Sequence, residues 1–293
     1  MAAEQTPFKR IASDFLDNPV AVFGLVLFGL ILLTAILAPL ISPQNPYDLS
    51  QLDVMDSRLP PGSQSINNGT FWLGTDDQGR DMLSAIFYGL RISLSVGVMS
   101  TVIALAIGLA MGLAAAYFGG KTETLIMRVA DIQLSFPAIL IALILLAVLG
   151  QGTLKIIAAL VTVQWAYYAR TVRSAALVEK RKEYMEAARC LALPPRRIVF
   201  RHLLPNCLPP LIVVATVQVA AAIALEATLS FLGLGLPITE PSLGLLIANG
   251  YQYLLSGKYW ISFFPGIALL LTIVSINLVA DQLRDVLNPR LQR

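Results

Sequence analysis

The sequence has few of the side chains that carry enzyme chemistry. It contains one histidine, His202, and two cysteines, Cys190 and Cys207, which form no CxxC pair. A single histidine leaves little general acid–base chemistry, and the metalloprotease HExxH and hydrolase GxSxG motifs are absent. The composition therefore argues against a membrane enzyme, a zinc site or a disulfide framework, and it predicts no catalytic residue and no bound metal.

Charge is also scarce. Only 13% of the 293 residues are charged, against 56% hydrophobic, which is typical of a polytopic membrane protein. The net charge of +3 is too small to indicate nucleic-acid binding. The nearest approach to an ATP-binding loop, AAYFGGKT at 115–122, lacks the first glycine and follows an apolar helix instead of a strand. Energy for any transport must come from another chain or from a gradient.

Long apolar runs dominate the chain and predict an all-α polytopic membrane protein with six transmembrane helices. The fourth run reaches spanning length only if it extends from Thr153 to Val172. The predicted organisation is a cytoplasmic tail (1–19), a first span (20–42), an external loop (43–84) and a five-helix core (85–293). The six runs are Val20–Ser42, Leu90–Phe118, Leu125–Leu149, Ile156–Ala169, Leu208–Leu232 and Tyr259–Leu278.

Positive charge is distributed unevenly between the two sides of this topology. With the N-terminus inside, 16 of the 21 Lys and Arg residues fall on the cytoplasmic side. The positive-inside rule therefore predicts that both termini are cytoplasmic. The polar stretch 180–206 is then cytoplasmic as well.

Residues 180–206 form the most informative polar stretch. Good helix formers from Tyr184 to Leu193 are stopped by Pro194 and Pro195, and a second amphipathic turn follows that Pro205 closes. On residue chemistry alone, the stretch fits either a protruding docking helix or a solvated basic loop. The small residues Ala187, Ala188 and Ala192 would let another surface approach closely.

Three further features stand out along the chain. LGTDDQGRD, at 73–81, predicts a turn followed by a helix start. Small residues at every fourth position of the second run (104, 108, 112 and 116) predict close helix packing. Packing against another helix of this chain is favoured over packing against a partner. Glu226, deep in the fifth run, must find a partner or stay protonated. It fits a translocation pathway or gate and a structural hydrogen bond equally well.

The stretch 180–206 resembles the EAA loop of ABC-importer permeases, in which a cytoplasmic coupling helix docks on the ATPase subunit. The resemblance rests on Glu186-Ala187-Ala188, a small residue four positions later, and the terminal Leu204-Pro205. The family usually has glycine where this chain has Ala192, and we expect the alanine to leave the helix straighter there. The resemblance implies coupling to the ATPase through Glu186, Ala187, Ala188, Arg189, Ala192, Arg196, Leu204 and Pro205.

LGTDxxGRD after the first span resembles the dipeptide/oligopeptide/nickel branch of this family, and more narrowly the second permease of the pair. The segment after Glu226 and the C-terminal NLVADQLRDVLNPR (277–290) are also similar to it. The resemblance implies a type I ABC-importer permease fold. It also places six residues of the external motif near a binding protein: Gly74, Thr75, Asp76, Gly79, Arg80 and Asp81.

The resemblance implies a non-catalytic subunit of an ATP-driven peptide importer in a bacterial or archaeal inner membrane. The expected partners are a homologous second permease, two ATPase subunits, an external solute-binding protein and membrane lipid. This chain would bind no cofactor itself, because ATP and magnesium belong to the ATPase subunits. The competing hypothesis is a gradient-driven secondary transporter or channel, which would be expected to show inverted repeats, broken helices or intramembrane charge relays.

Overall fold

The computed structural model describes residues 13–48, 50, 52–65 and 69–287. Most of the predicted tail 1–19 and the end of the C-terminal motif (288–290) therefore lie outside the described residues. The α-helices are α1 (Pro19–Ile41), α2 (Met82–Phe118), α3 (Gly120–Leu134), α4 (Ala138–Leu149), α5 (Thr153–Glu179), α6 (Glu183–Cys190), α7 (Pro195–Phe231), α8 (Leu243–Tyr251) and α9 (Trp260–Leu287). A small antiparallel hairpin pairs β1 (Ser63–Ser65) with β2 (Gly69–Phe71).

The first helix begins at a strong capping signal. Asn18 accepts hydrogen bonds from the backbone N–H groups of Val20 and Ala21, and Pro19 occupies the first turn, where no donor is needed. The side-chain amide of Asn18 also donates to Gln282 of α9 at 2.7 Å. One residue thus starts α1 and fixes it to the last helix.

Four helices among the described residues are long and apolar enough to cross a membrane: α1, α2, α7 and α9. The predicted run Leu125–Leu149 is divided between two helices, because α3 and α4 meet at a 90° bend. Pro137 causes the break, since it has no N–H to donate and disfavours helix in the preceding residue. If this bent pair makes one crossing, the apolar spans number five.

The fourth predicted run lies within α5, which begins at Thr153 and continues to Glu179. Its charged residues make it less apolar than the other long helices. The number of crossings and the cytoplasmic position of the termini therefore stay predictions. The external loop is slightly shorter than predicted, because α2 begins at Met82 and not after residue 84.

The small-residue ridge of α2 packs inside this chain, as predicted. Ala104, Gly108, Gly112 and Ala116 are all buried. A Cβ atom on Gly108 would lie 2.4 Å from Cβ of Tyr168, and one on Gly112 would lie 2.6 Å from the carbonyl oxygen of Ala169. The backbones of α2 and α5 therefore meet at a distance that only glycine permits.

The short helix α8 was not predicted. Its start is capped by the hydroxyl of Ser242, which accepts from the N–H of Leu245, and Gly244 lies against the backbone of Ala227 in α7. Nine residues are too few to span a membrane, so an analysis based on long apolar runs passes over this helix. It packs between α7 and α9.

We expect Gly108→Ala to destabilise the protein by about 1–3 kcal/mol, because the added methyl group must separate α2 from α5. Gly266→Ala in α9 is the matched control, since a Cβ there meets nothing within 4 Å. Thermal unfolding of the purified chain in detergent measures both. Equal melting temperatures for the two variants would contradict the tight contact.

Candidate functional site

Helix α6 lies in the middle of the predicted coupling loop. Its first turn carries Glu183 and Glu186, and its last turn carries Arg189. Acidic residues near the N-terminus and basic residues near the C-terminus favour the helix dipole, so this short helix is electrostatically well matched. It lies between the ends of α5 and α7 and is not part of either.

The end of α6 corrects the expectation for Ala192. This residue has φ of 51°, a left-handed conformation, so the alanine does not keep the helix straight. The N–H of Leu193 bonds to the carbonyl of Ala188, and the N–H of Ala192 bonds to that of Arg189. This is a Schellman-type end, in which a left-handed residue closes the helix before Pro194. Alanine adopts the conformation that glycine takes more easily.

The two faces of α6 have different roles. Met185 and Ala188 are buried against the rest of this chain, whereas Glu186, Ala187 and Arg189 are exposed. Ala188 therefore allows close packing within the chain. Of the three small residues predicted to face a partner, only Ala187 and Ala192 are exposed.

The sequence predicts that Pro205 closes the second half of the loop, but the structure has no break there. Helix α7 continues from Pro195 to Phe231 through a π-helical turn, Ile198–Leu203. The wider turn places Pro205 where its missing N–H and its ring are tolerated. Arg196 and Pro205 remain exposed, and Leu204 is half-buried.

Two exposed apolar side chains of this loop were missed from the sequence. Leu191 is 72% exposed and Phe200 is 63% exposed. They fall outside the set that faces inward, which includes Met185, Ile198 and Leu203. Their positions do not share the helical spacing of the inward-facing residues, and this mismatch could have identified them from the sequence. Together with the exposed arginines they give the loop a surface suited to a protein partner.

The external motif is held together by a buried ion pair. Asp76 accepts from Nε of Arg80 at 2.6 Å, and the side chains of Asp76 and Arg80 are 0% and 1% exposed. Asp76 also accepts from the backbone N–H groups of Gln78 and Arg80, which closes the turn. Arg80 in turn donates to the carbonyl of Ile238 in the α7–α8 connection.

The rest of the motif supports the predicted turn and helix start. Asp81 caps α2 by accepting from the N–H and hydroxyl of Ser84, while burial raises the pKa of its carboxyl group. Thr75 accepts from the N–H of Leu59, and its carbonyl accepts from the indole of Trp260. Gly74 and Gly79 both have φ of 79°.

All six motif residues are buried, so in this structure they stabilise the fold of the external loop. Their proximity to a binding protein stays a prediction.

Glu226 lies in a node of hydroxyl groups. It is 0% exposed, and its carboxyl oxygens accept from Ser93 of α2 and Ser230 of α7, each at 2.8 Å. Ser242, the residue that caps α8, also lies near this carboxyl group. This arrangement agrees with a structural bond between helices in the conformation described. No cation pairs with Glu226 among the salt bridges of the described residues.

Several apolar helices, with a short polar helix held between two of them, define a multi-pass membrane protein. Residues 104–293 match the family described as the binding-protein-dependent transport system inner membrane component, and the chain belongs to that family. Residues 6–61 match the N-terminal transmembrane domain of oligopeptide transport permease C. Membership favours an importer permease over the gradient-driven alternative.

Named relatives cover almost the whole chain. The dipeptide transport system permease protein DppC of Escherichia coli K12 is 40% identical over 98% of this chain and 95% of its own length. The oligopeptide transport system permease protein OppC of Bacillus subtilis is 37% identical over 98% and 90%, respectively. A putative peptide transport system permease protein of Brucella suis is 42% identical over 92% and 87%.

The fold is shared with solved ABC importers. An inward-facing structure of the MetNI methionine ABC transporter matches with a TM-score of 0.58 and 23% identity, over 71% of this chain and 98% of that chain. An amino acid ABC transporter matches with a TM-score of 0.53 and 13% identity, over 68% and 92%. The chain therefore has the ABC-importer permease fold.

Ala192→Gly should stabilise the end of α6 by about 1 kcal/mol, because it relieves the left-handed alanine at a modest entropic cost. The matched control is Ala187→Gly, the same exchange in the helix interior, which should destabilise by about 1 kcal/mol. Hydrogen–deuterium exchange of residues 183–193 reports both changes. Slower exchange for Ala192→Gly and faster exchange for Ala187→Gly is the expected pair, and the same sign for both would refute it.

Asp76→Ala should destabilise the protein by about 3–5 kcal/mol, because it leaves Arg80 buried without its partner. Replacing the exposed Asp285 by alanine should change stability by less than about 0.5 kcal/mol. Thermal unfolding in detergent compares the two. The double variant Asp76→Ala, Arg80→Met should recover part of the loss, and a double variant no more stable than Asp76→Ala would argue against an unpaired charge as the cause.

Proposed function

We propose that this chain is the membrane subunit of an ATP-driven importer of di- or oligopeptides in a bacterial or archaeal inner membrane. The observation that carries the proposal is helix α6, which presents Glu186, Ala187 and Arg189 outward between α5 and α7 of a chain with the importer-permease fold. The names of three relatives, which refer to peptide, dipeptide and oligopeptide transport, support the substrate class.

In this proposal the chain crosses the membrane six times with both termini cytoplasmic. The bent pair α3–α4 makes one crossing, and α5 makes another from Thr153 to about Val172. The positive-inside distribution supports this orientation, since α6 and the arginines in the first turns of α7 then face the cytoplasm. The chain forms half of the pathway, and a homologous second permease forms the other half.

The coupling mechanism follows from the position of α6. Two ATPase subunits bind and hydrolyse ATP with magnesium, and one of them receives α6 in a surface groove. The exposed Leu191 and Phe200 supply apolar contact, while Glu186, Arg189 and Arg196 supply charged contacts around it. Closure of the ATPase dimer displaces α6, and the spans open outward to a docked solute-binding protein.

We expect Glu186→Lys to abolish ATP-driven peptide uptake while the chain still inserts into the membrane, because the charge reverses on the exposed docking face. Asp285→Lys, a charge reversal at another exposed position, on α9, is the control and should leave uptake unchanged. The measurement is peptide uptake by cells or proteoliposomes, together with the amount of ATPase that co-purifies with the chain. Normal uptake by an assembled Glu186→Lys complex would contradict the coupling role of α6.

A further inference from the structure

A short chain of hydrogen bonds that begins at one carboxylate links the end of α5, the start of α6 and the first part of α7. Glu179, the last residue of α5, accepts from Nζ of Lys182 and from the hydroxyl of Tyr184, each at 2.6 Å. The hydroxyl oxygen of Tyr184 accepts from the side-chain amide of Asn206 in α7 at 3.2 Å. We call Glu179, Lys182, Tyr184 and Asn206 the inner latch. It joins α6 to α5 on one side and to α7 on the other.

The pKa values of Glu179 and Tyr184 shift in opposite directions. Burial acts to raise the pKa of Glu179, but the hydrogen bonds from Lys182 and Tyr184 outweigh it and hold that pKa below its usual value. Burial and the hydrogen bond to Glu179 raise the pKa of Tyr184 to about 12. At neutral pH the carboxylate therefore accepts and the phenol donates. Hydrogen bonds with one ionised partner are stronger than neutral ones.

An apolar contact lies beside the inner latch. Met185 of α6 is fully buried in a cluster formed by α2, α5 and α7. Lys180, next to Glu179, donates to the carbonyls of Ala116 and Tyr117, which caps the end of α2. The cluster around Met185 contains Leu113, Ala116, Val172, Ala176, Ile198, Leu203, Cys207 and Leu211.

The apolar contacts of Met185 and Ala188 alone would hold α6 against the chain without fixing its orientation. An apolar side chain has no directional bond, so the contact resists separation better than it resists rotation. The inner latch supplies the directional bonds, since it fixes the start of α6 to two different helices. A displacement of α6 can then be passed to α5 and α7 together.

We propose that Glu179 and Tyr184 are positioning residues for energy coupling, which make α6, α5 and α7 move as one unit when the ATPase displaces α6. The inference rests on the proposed function, because it requires an ATPase docked on α6. Neither residue needs to touch the ATPase or the substrate. Loss of the inner latch should let ATP hydrolysis proceed without transport.

Tyr184→Phe is the sharpest test, because it keeps the ring and removes the hydroxyl that joins Glu179 to Asn206. Tyr117→Phe, at the nearby end of α2, is the matched control; no hydrogen bond of the Tyr117 hydroxyl is among those described. The first measurement is hydrogen–deuterium exchange of residues 183–193 in the purified full chain. The second is uptake of tritiated dialanine and trialanine per ATP hydrolysed by the reconstituted complex.

We expect Tyr184→Phe to speed exchange in α6 and to lower uptake per ATP by about fivefold or more, with the ATPase still co-purifying. Asn206→Leu breaks the same link from α7 and should give the same pair of results if Tyr184→Phe fails to assemble. Unchanged exchange in α6, or unchanged uptake per ATP in an assembled complex, would overturn the proposal. A complex with normal coupling in Glu186→Lys would instead refute the docking role of α6, and the exchange measurement would still test the inner latch.

Discussion

The close approach of α2 and α5 is the contact on which the rest of the arrangement depends. Gly108 and Gly112 bring the two backbones together at a distance that a methyl group would prevent. In lipid, where apolar helices gain little from leaving their surroundings, such close packing is a main source of association. Because only residues 180–182 separate α5 from α6, this contact also decides where the predicted coupling helix lies. Lys180 completes the link by capping α2.

Buried polar groups add specificity to that packing. Ionised or polar side chains in an apolar interior are costly unless they are paired, and the chain pairs them between different elements. The pair formed by Asp76 and Arg80 closes the external turn and reaches the α7–α8 connection through Ile238. The hydroxyl groups around Glu226 come from α2, α7 and the start of α8. These polar contacts fix the positions of elements that could slide past one another if they were held by glycine ridges alone.

Features that depend on local sequence could be predicted, and those that depend on tertiary contacts could not. The glycine ridge, the external turn and the capped start of α2 follow from residue spacing alone. The length of an apolar run does not reveal that Pro137 bends it by 90°, nor that nine residues after Ser242 form a buried helix. The conformation of Ala192 was mispredicted for a further reason. The Schellman hydrogen bonds of Leu193 and the following Pro194 impose a backbone conformation that alanine would not choose by itself.

Helix α7 connects the inner latch to the node at Glu226. Asn206 and Glu226 are separated by about 30 Å of helix, at a rise of 1.5 Å per residue. Pro209 and Pro210 lie between them, close to Asn206, and proline weakens a helix where it removes hydrogen bonds. Cys207 and Leu211 are buried in the same cluster as Met185, so both sides of this weak point are held against α6 and its neighbours. In the proposed coupling, a displacement of α6 would reach α7 on both sides of the prolines, through Asn206 before them and through the apolar cluster at Leu211 after them.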